Sequence, residues 1–191
     1  MLDIDLLTPL IEHLDRQNAN YALVGGVALI AATENARPTV DIDFLTSTSA
    51  FANLPEAELI SQDDNFARYQ LPDGTYIDLR LVSNPVFKAA LENYAKVVQL
   101  GKLSVRSLSL EGLFALKLYA MPSLYRQGNF AKFSIYESDS FRLLLENREI
   151  DCDRALKIAA LDLLPLDVAE MQTIIQEQQE KVANLDSRFQ Q

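Results

Sequence analysis

Three aspartates on two short apolar segments are the residues whose type and spacing could do chemistry. Asp41 and Asp43 stand one residue apart in VDIDFL, and Asp78 lies in TYIDLRL. Successive side chains on a strand point to opposite faces, so Asp41 and Asp43 share a face about 7 Å apart, whereas Asp78 shares its face with Arg80. If the two strands pair, three carboxylates meet at one site.

Carboxylate oxygens without histidine or cysteine beside them favour Mg²⁺ as the bound metal. The chain contains one histidine, His13, and one cysteine, Cys152, which excludes a site built from several of either. Magnesium binds through few carboxylates together with substrate phosphates. Two such ions about 4 Å apart could stabilise both the attacking and the leaving oxygen of a phosphoryl transfer.

Two adjacent glycines, Gly25 and Gly26, follow the apolar run YALV. Without side chains they let backbone N–H groups approach phosphates, and a helix that starts after them would offer its positive N-terminus. Arg37 either meets a triphosphate or lies on the surface at the end of that helix. A glycine pair alone is usually a tight turn, and two acids on a strand are usually a solvated face, so the prediction rests on their combination.

The double glycine, the segment ARPTVDIDF and a later strand with a third aspartate together resemble the polymerase-β-type nucleotidyltransferase superfamily. Within it, they are most similar to the AbiEii-like branch of toxin–antitoxin nucleotidyltransferases and its uncharacterised bacterial relatives. The resemblance covers residues 23–81. It implies that Asp41 and Asp43 hold two metal ions, that Asp78 is a third ligand or base, and that Gly25 and Gly26 hold nucleotide phosphates. Many members of the superfamily have serine at the second glycine, which is a departure here.

A second segment, LSLEGLFALKLYAM, resembles the helix that follows the core in those relatives. The resemblance implies that Lys117 lies near the nucleotide phosphates; without it, Lys117 is the polar edge of an amphipathic helix. An acidic position found further along in relatives would fall to Glu137 or Asp139.

The function that the resemblance implies is transfer of a nucleoside monophosphate from an NTP, the substrate, to a hydroxyl of an unknown acceptor. A toxin-like enzyme acting on RNA or protein, with a cognate antitoxin-type partner, is one reading. A small-molecule, antibiotic-type nucleotidyltransferase is a second, and a catalytically inactive binding or regulatory protein is a third. The net charge of −10 counts against RNA, because nucleic-acid affinity depends largely on Lys and Arg.

The elements that would position these residues follow an α+β pattern: a small mixed β-sheet core with flanking helices, then a C-terminal helical region. We expect the core in residues 1–106 and the helical region in residues 107–191. Apolar residues at helical spacing predict a first helix over residues 6–17, and alternation predicts a strand over residues 40–45. Pro72 to Gly74 predicts the turn of a hairpin, and Gly101 lies in the turn of a second one.

The helical region carries three boundary signals. Ser109 can cap the helix that contains Lys117, and Pro122 should end it. Asp167 with Glu170 three residues later has the spacing of a capping box for the last helix. No stretch approaches the roughly 20 apolar residues of a membrane span, and the acidic N-terminus is unlike a secretory signal, so we expect a cytoplasmic protein.

Overall fold

The computed structural model describes residues 6–33, 39, 41–51, 54 and 56–189. They form a mixed sheet with flanking helices and a helical C-terminal part, which confirms the predicted fold class. The chain divides into two compact units, Met1–Ser109 and Leu110–Gln191. Within the described part of the chain, no helix is long and apolar enough to cross a membrane.

Seven strands form one sheet in the first unit. They are β1 (Ala22–Val24), β2 (Ile42–Thr46), β3 (Glu58–Gln62), β4 (Phe66–Gln70), β5 (Tyr76–Leu81), β6 (Ala95–Leu100) and β7 (Leu103–Leu108). Their order is β3-β4-β5-β2-β1-β7-β6, in which β2 and β5, and also β1 and β7, are parallel neighbours. The remaining neighbours are antiparallel, and the β4–β5 and β6–β7 hairpins confirm the two predicted turns. The sheet is therefore mixed, and its two parallel pairs join strands that are distant in sequence.

Alternation decides which faces of the strands are buried. In β5 the side chains of Ile77, Leu79 and Leu81 are buried, while the alternate positions remain partly exposed, as the sequence predicts. The edge strand β3 has no such signal, because all five of its residues are exposed, and the sequence analysis missed it. A strand without a buried face leaves no hydrophobic period to detect.

Among the described residues of the first unit, three segments are α-helices: α1 (Leu7–Arg16), α2 (Gly25–Ala32) and α3 (Pro85–Tyr94). The apolar face predicted for α1 is buried. Helix α2 begins at Gly25 itself, so the expectation that it starts after both glycines is wrong by two residues. At α3, Pro85 takes the first position and the buried Asn84 side chain accepts hydrogen bonds from the N–H groups of Val86 and Phe87. This cap satisfies two backbone donors that a helix leaves unpaired at its start.

In the described part of the second unit, four segments are α-helices: α4 (Leu110–Arg126), α5 (Phe130–Glu146), α6 (Cys152–Ala159) and α7 (Pro165–Phe189). The prediction that Pro122 ends α4 is wrong, because the helix continues through it to Arg126. Pro122 is buried, as are Met121 and Leu124 in the same stretch of the helix.

The predicted capping box of the last helix is also wrong. Helix α7 begins at Pro165, so Asp167 lies inside its first turn rather than at its cap. Proline is favoured at the first helical position because its missing N–H would be unpaired there in any case. Asp167 instead accepts a hydrogen bond from Arg126 at 2.6 Å.

Removal of the α3 cap gives a test of this account. Asn84→Ala should lower the free energy of unfolding by about 1–2 kcal/mol, because two buried backbone N–H groups lose their acceptor. Asn129→Ala is the matched control, since Asn129 caps α5 through one bond at an exposed position, and it should cost less. Urea denaturation measures both; an equal loss in the two variants would contradict the assignment.

Candidate active site

Asp43 and Asp78 are register partners on the neighbouring parallel strands β2 and β5. Neighbouring strands lie about 4.8 Å apart, and paired residues of such strands point to the same face of the sheet. The two carboxylates therefore lie side by side. Asp41 directly precedes β2 and is partly exposed. The pairing that the sequence analysis needed in order to bring Asp43 and Asp78 together is present.

Asp43 lies in an enclosed position. All five residues of β2 are buried, and only 9% of Asp43 is exposed. The reason is position: β2 lies in the middle of the sheet and α2 packs against it. Arg80, on β5, donates a hydrogen bond from Nη1 to Oδ1 of Asp43 at 2.5 Å. This ion pair compensates the enclosed carboxylate.

Gly25 lies directly against the Asp43 carboxylate. A Cβ atom built on Gly25 would be 1.9 Å from Oδ2 of Asp43, and the φ of Gly25 is +66°, a conformation that side chains disfavour. Only glycine fits this position. Helix α2 starts here, so its free N–H groups and its positive end lie next to Asp43.

Gly26 is held close to Thr39, a residue that the sequence analysis did not select. A Cβ atom on Gly26 would lie 2.7 Å from both Cβ and Oγ1 of Thr39, which is itself buried. The Thr39 hydroxyl donates to the carbonyl oxygen of Asp41 at 3.4 Å. Serine would not fit at position 26 unless Thr39 moved, which gives a physical reason for glycine at this position. The threonine in the segment ARPTVDIDF is the sequence feature from which this residue could have been selected.

Arg68 is the second residue that the sequence analysis missed. It lies on β4 opposite Asp78, and its Nε and Nη2 donate to the two carboxylate oxygens of Asp78, each at 2.6 Å. Its guanidinium carbon lies 5.0 Å from the centroid of the Tyr76 ring. Arg68 lies in the segment FARYQL, which directly precedes the predicted hairpin turn. Alternation in this segment would have placed Arg68 on the same face of the sheet as Asp78.

The electrostatics of Arg68 also involve Asp41. The hydrogen bonds to Asp78 raise the pKa of Arg68 most, burial opposes this, and the negative charges of Asp78 and Asp41 raise the pKa further. The Asp41 carboxylate is thus close enough to act on the same guanidinium. Arg68 therefore contacts Asp78 directly and interacts with Asp41 through its charge.

Arg37 and Lys117 are the other two residues that the sequence analysis predicts as phosphate ligands. Arg37 lies outside the described residues. Lys117 belongs to the helical unit, is only 5% exposed, and donates from Nζ to Oδ2 of Asp139 at 2.7 Å. Its Nζ is also 3.9 Å from the centroid of the Tyr136 ring. Within this unit Lys117 and Asp139 form a buried ion pair between α4 and α5.

The side chains at this site include the oxygen ligands that Mg²⁺ prefers. In the described ranges of the chain, no group of three or more His, Cys, Asp or Glu side chains is arranged to hold a metal ion. The oxygen donors of Asp43 and Asp78 nevertheless suit Mg²⁺ chemically, and Gly25 leaves room for Oδ2 of Asp43. The residues fit the ion provided that the arginine contacts can rearrange.

Comparisons with known proteins support the fold. No model of a known protein family matches the chain, and no curated protein matches its sequence. The chain is similar to the crystal structure of an antigenic nucleotidyltransferase-like protein from Paracoccidioides brasiliensis, with a TM-score of 0.53, 19% identity, and coverage of 89% of this chain and 91% of that one. It is also similar to ANT(2″)-Ia in complex with adenylyl-2″-tobramycin, with a TM-score of 0.57, 12% identity, and coverage of 82% and 94%. The chain therefore has the fold of these nucleotidyltransferase-like proteins.

The contact between Gly26 and Thr39 can be tested by a double-mutant cycle. Gly26→Ala should lower the free energy of unfolding by about 1–3 kcal/mol, because its Cβ overlaps Thr39. In a Thr39→Gly background the same change should cost at least about 1 kcal/mol less, since the obstructing side chain is gone. Urea denaturation of the four proteins measures the coupling. Additive effects would show that the two residues do not constrain each other.

The buried ion pair in the helical unit gives a second test. Lys117→Met should lower the free energy of unfolding by about 3 kcal/mol, because it removes the positive charge that pairs with the buried Asp139 carboxylate. The double variant Lys117→Met with Asp139→Leu should recover most of this loss. Lys132→Met is the control, since Lys132 is exposed and also faces Tyr136, and its effect should stay within about 0.5 kcal/mol. A mild effect of Lys117→Met in denaturation would contradict the pairing.

Proposed function

We propose that this protein is a nucleotidyltransferase that moves a nucleoside monophosphate from an NTP to a hydroxyl of an acceptor. The observation that carries the proposal is the placement of Asp43 beside Asp78, with Gly25 and the start of α2 against Asp43. Carboxylates that can hold divalent ions thus adjoin a helix N-terminus that can hold phosphates. An NTP with its metal needs both features at one place.

The proposed reaction follows from these groups. The acceptor oxygen attacks the α-phosphorus, and the bond from that phosphorus to the oxygen bridging to the β-phosphate breaks, so pyrophosphate leaves with the bonding electron pair. The acceptor proton goes to a carboxylate, for which Asp78 is the candidate. Backbone N–H groups of Gly25 and Gly26 hold the phosphates, and Arg80 positions Asp43. Two Mg²⁺ ions, with Asp41, Asp43 and Asp78 as ligands, would neutralise the charge that develops on the phosphates.

The proposal includes two further positively charged side chains. Arg37 and Lys117 would contribute positive charge to the triphosphate, as the resemblance implies. Lys117 would first have to leave Asp139, with which it is buried. This exchange would break a buried ion pair, which is energetically costly.

The acceptor decides between two functions. The ARPTVDIDF segment favours a toxin-like enzyme of the AbiEii-like branch, which acts on RNA or protein in the cytoplasm and is bound by an antitoxin-type partner. A small-molecule acceptor is the second candidate. The net charge of −10 suits a cationic acceptor better than RNA, and the similar ANT(2″)-Ia structure contains adenylyl-2″-tobramycin.

Transfer of an α-labelled phosphate tests the proposal. The protein is incubated with Mg²⁺ and each of the four α-³²P-NTPs, in the presence of total RNA, cell protein or a panel of aminoglycosides. We expect label to appear in one acceptor class and the rate to fall at least about 100-fold in Asp43→Asn, because a metal ligand is lost. Asp73→Asn is the control, since Asp73 is an exposed turn residue of the β4–β5 hairpin.

The outcomes separate the functions. Label in RNA or protein supports the toxin-like enzyme, and label in an aminoglycoside supports the small-molecule enzyme. Absence of transfer in every pool, or equal transfer by Asp43→Asn and wild type, would overturn the enzymatic proposal. A catalytically inactive binding protein would then be the better description.

A further inference from the structure

We infer that Arg68 is a positioning residue that competes with the divalent ion for Asp78 and, once released, binds the triphosphate of the nucleotide. The inference deepens the proposed function and rests on it, because it takes Asp78 to be a metal ligand. It assigns to Arg68 a role in setting both the metal affinity and the nucleotide affinity of the site.

The first support is the way Arg68 holds Asp78. Both carboxylate oxygens accept a hydrogen bond from the same guanidinium at 2.6 Å. Such bidentate pairs are among the strongest in proteins and fix the orientation of the carboxylate. A divalent ion at the same oxygens would lie within a few ångströms of the guanidinium charge, and their repulsion would be strong. Arg68 therefore has to leave before Asp78 can bind the ion well.

The second support is the contrast with Arg80. Arg80 donates one bond to Asp43, and only 17% of its side chain is exposed. The Arg68 side chain is 41% exposed and lies on β4, further from the middle of the sheet. Water can solvate the Arg68 guanidinium as it moves, whereas Arg80 is enclosed. Of the two arginines, Arg68 is the one that can move away.

The third support is what surrounds Arg68. The Tyr76 ring lies under its guanidinium, so a neighbour other than Asp78 also holds Arg68. A guanidinium matches phosphate geometry with its planar fork of donors. Released from Asp78, Arg68 would remain next to the carboxylate that the proposal assigns to the metal ions of the nucleotide.

These steps predict effects of opposite sign from one substitution. Arg68→Gln should bind Mn²⁺, used as a spectroscopic substitute for Mg²⁺, about tenfold more tightly in the absence of nucleotide. It should bind inorganic tripolyphosphate about tenfold more weakly at saturating Mn²⁺, because a cationic ligand for phosphate is lost. A residue with a purely structural role in the β4–β5 hairpin would not produce this pair of changes.

The experiment measures Mn²⁺ binding by electron paramagnetic resonance of the free ion and tripolyphosphate binding by calorimetry. Wild type, Arg68→Gln and Arg68→Lys are compared, and circular dichroism checks the fold of each. Arg68→Lys keeps the charge but loses the fork, so its effects should be smaller and of the same sign. Arg126→Gln is the matched control: Arg126 pairs with Asp167 at 2.6 Å in the helical unit and should change neither affinity.

Asp43→Asn separates the two possible failures. If wild type binds Mn²⁺, Asp43→Asn binds it less, and Arg68→Gln binds it no more tightly than wild type, the inference about Arg68 is overturned while the metal site stands. If neither wild type nor Arg68→Gln binds Mn²⁺, the metal site and the proposed function are overturned with it. Tighter Mn²⁺ binding without weaker tripolyphosphate binding would overturn the phosphate role of Arg68.

Discussion

The contact between the backbone at Gly25 and the carboxylate of Asp43 is the constraint on which the site depends. Strand β1 ends at Val24, which pairs with Asp43, and the chain then turns into α2 over the carboxylate. Any side chain at Gly25 would occupy the position of Oδ2 of Asp43. The register of β1 with β2, the turn and the start of α2 are therefore fixed together, and they place a helix N-terminus beside a carboxylate.

Charge balance follows from this arrangement. Asp43 and Asp78 are enclosed or half-enclosed on one face of the sheet, and a charge removed from water is costly unless it is paired. Arg80 and Arg68 supply that pairing. Divalent ions at these carboxylates would repel the two guanidinium groups that pair with them. Metal, nucleotide and arginine positions are thus coupled by electrostatics.

The helical unit uses buried polar groups for packing. Lys117 of α4 pairs with Asp139 of α5, and Gln178 of α7 exchanges hydrogen bonds with Ser140 and donates to the carbonyl oxygen of Glu137. Buried polar groups of this kind fix how helices align, because a shift would leave them unpaired. The lysine selected from the sequence as a phosphate ligand is part of this packing, so any role at a nucleotide would require the packing to change locally.

The local features of this protein follow from residues that are close in the chain. Alternation in β5 puts Asp78 on the face opposite Ile77, Pro72 to Gly74 forms the hairpin turn, and helical spacing gives α1. Which distant residues become partners depends on tertiary packing. The parallel pairing of β2 with β5 buries Asp43, and cross-strand neighbours bring Arg80 to Asp43 and Arg68 to Asp78. Helix α4 also continues through Pro122, a residue that is buried. Such contacts join residues far apart in sequence, and no local period encodes which distant strand or helix will supply the partner.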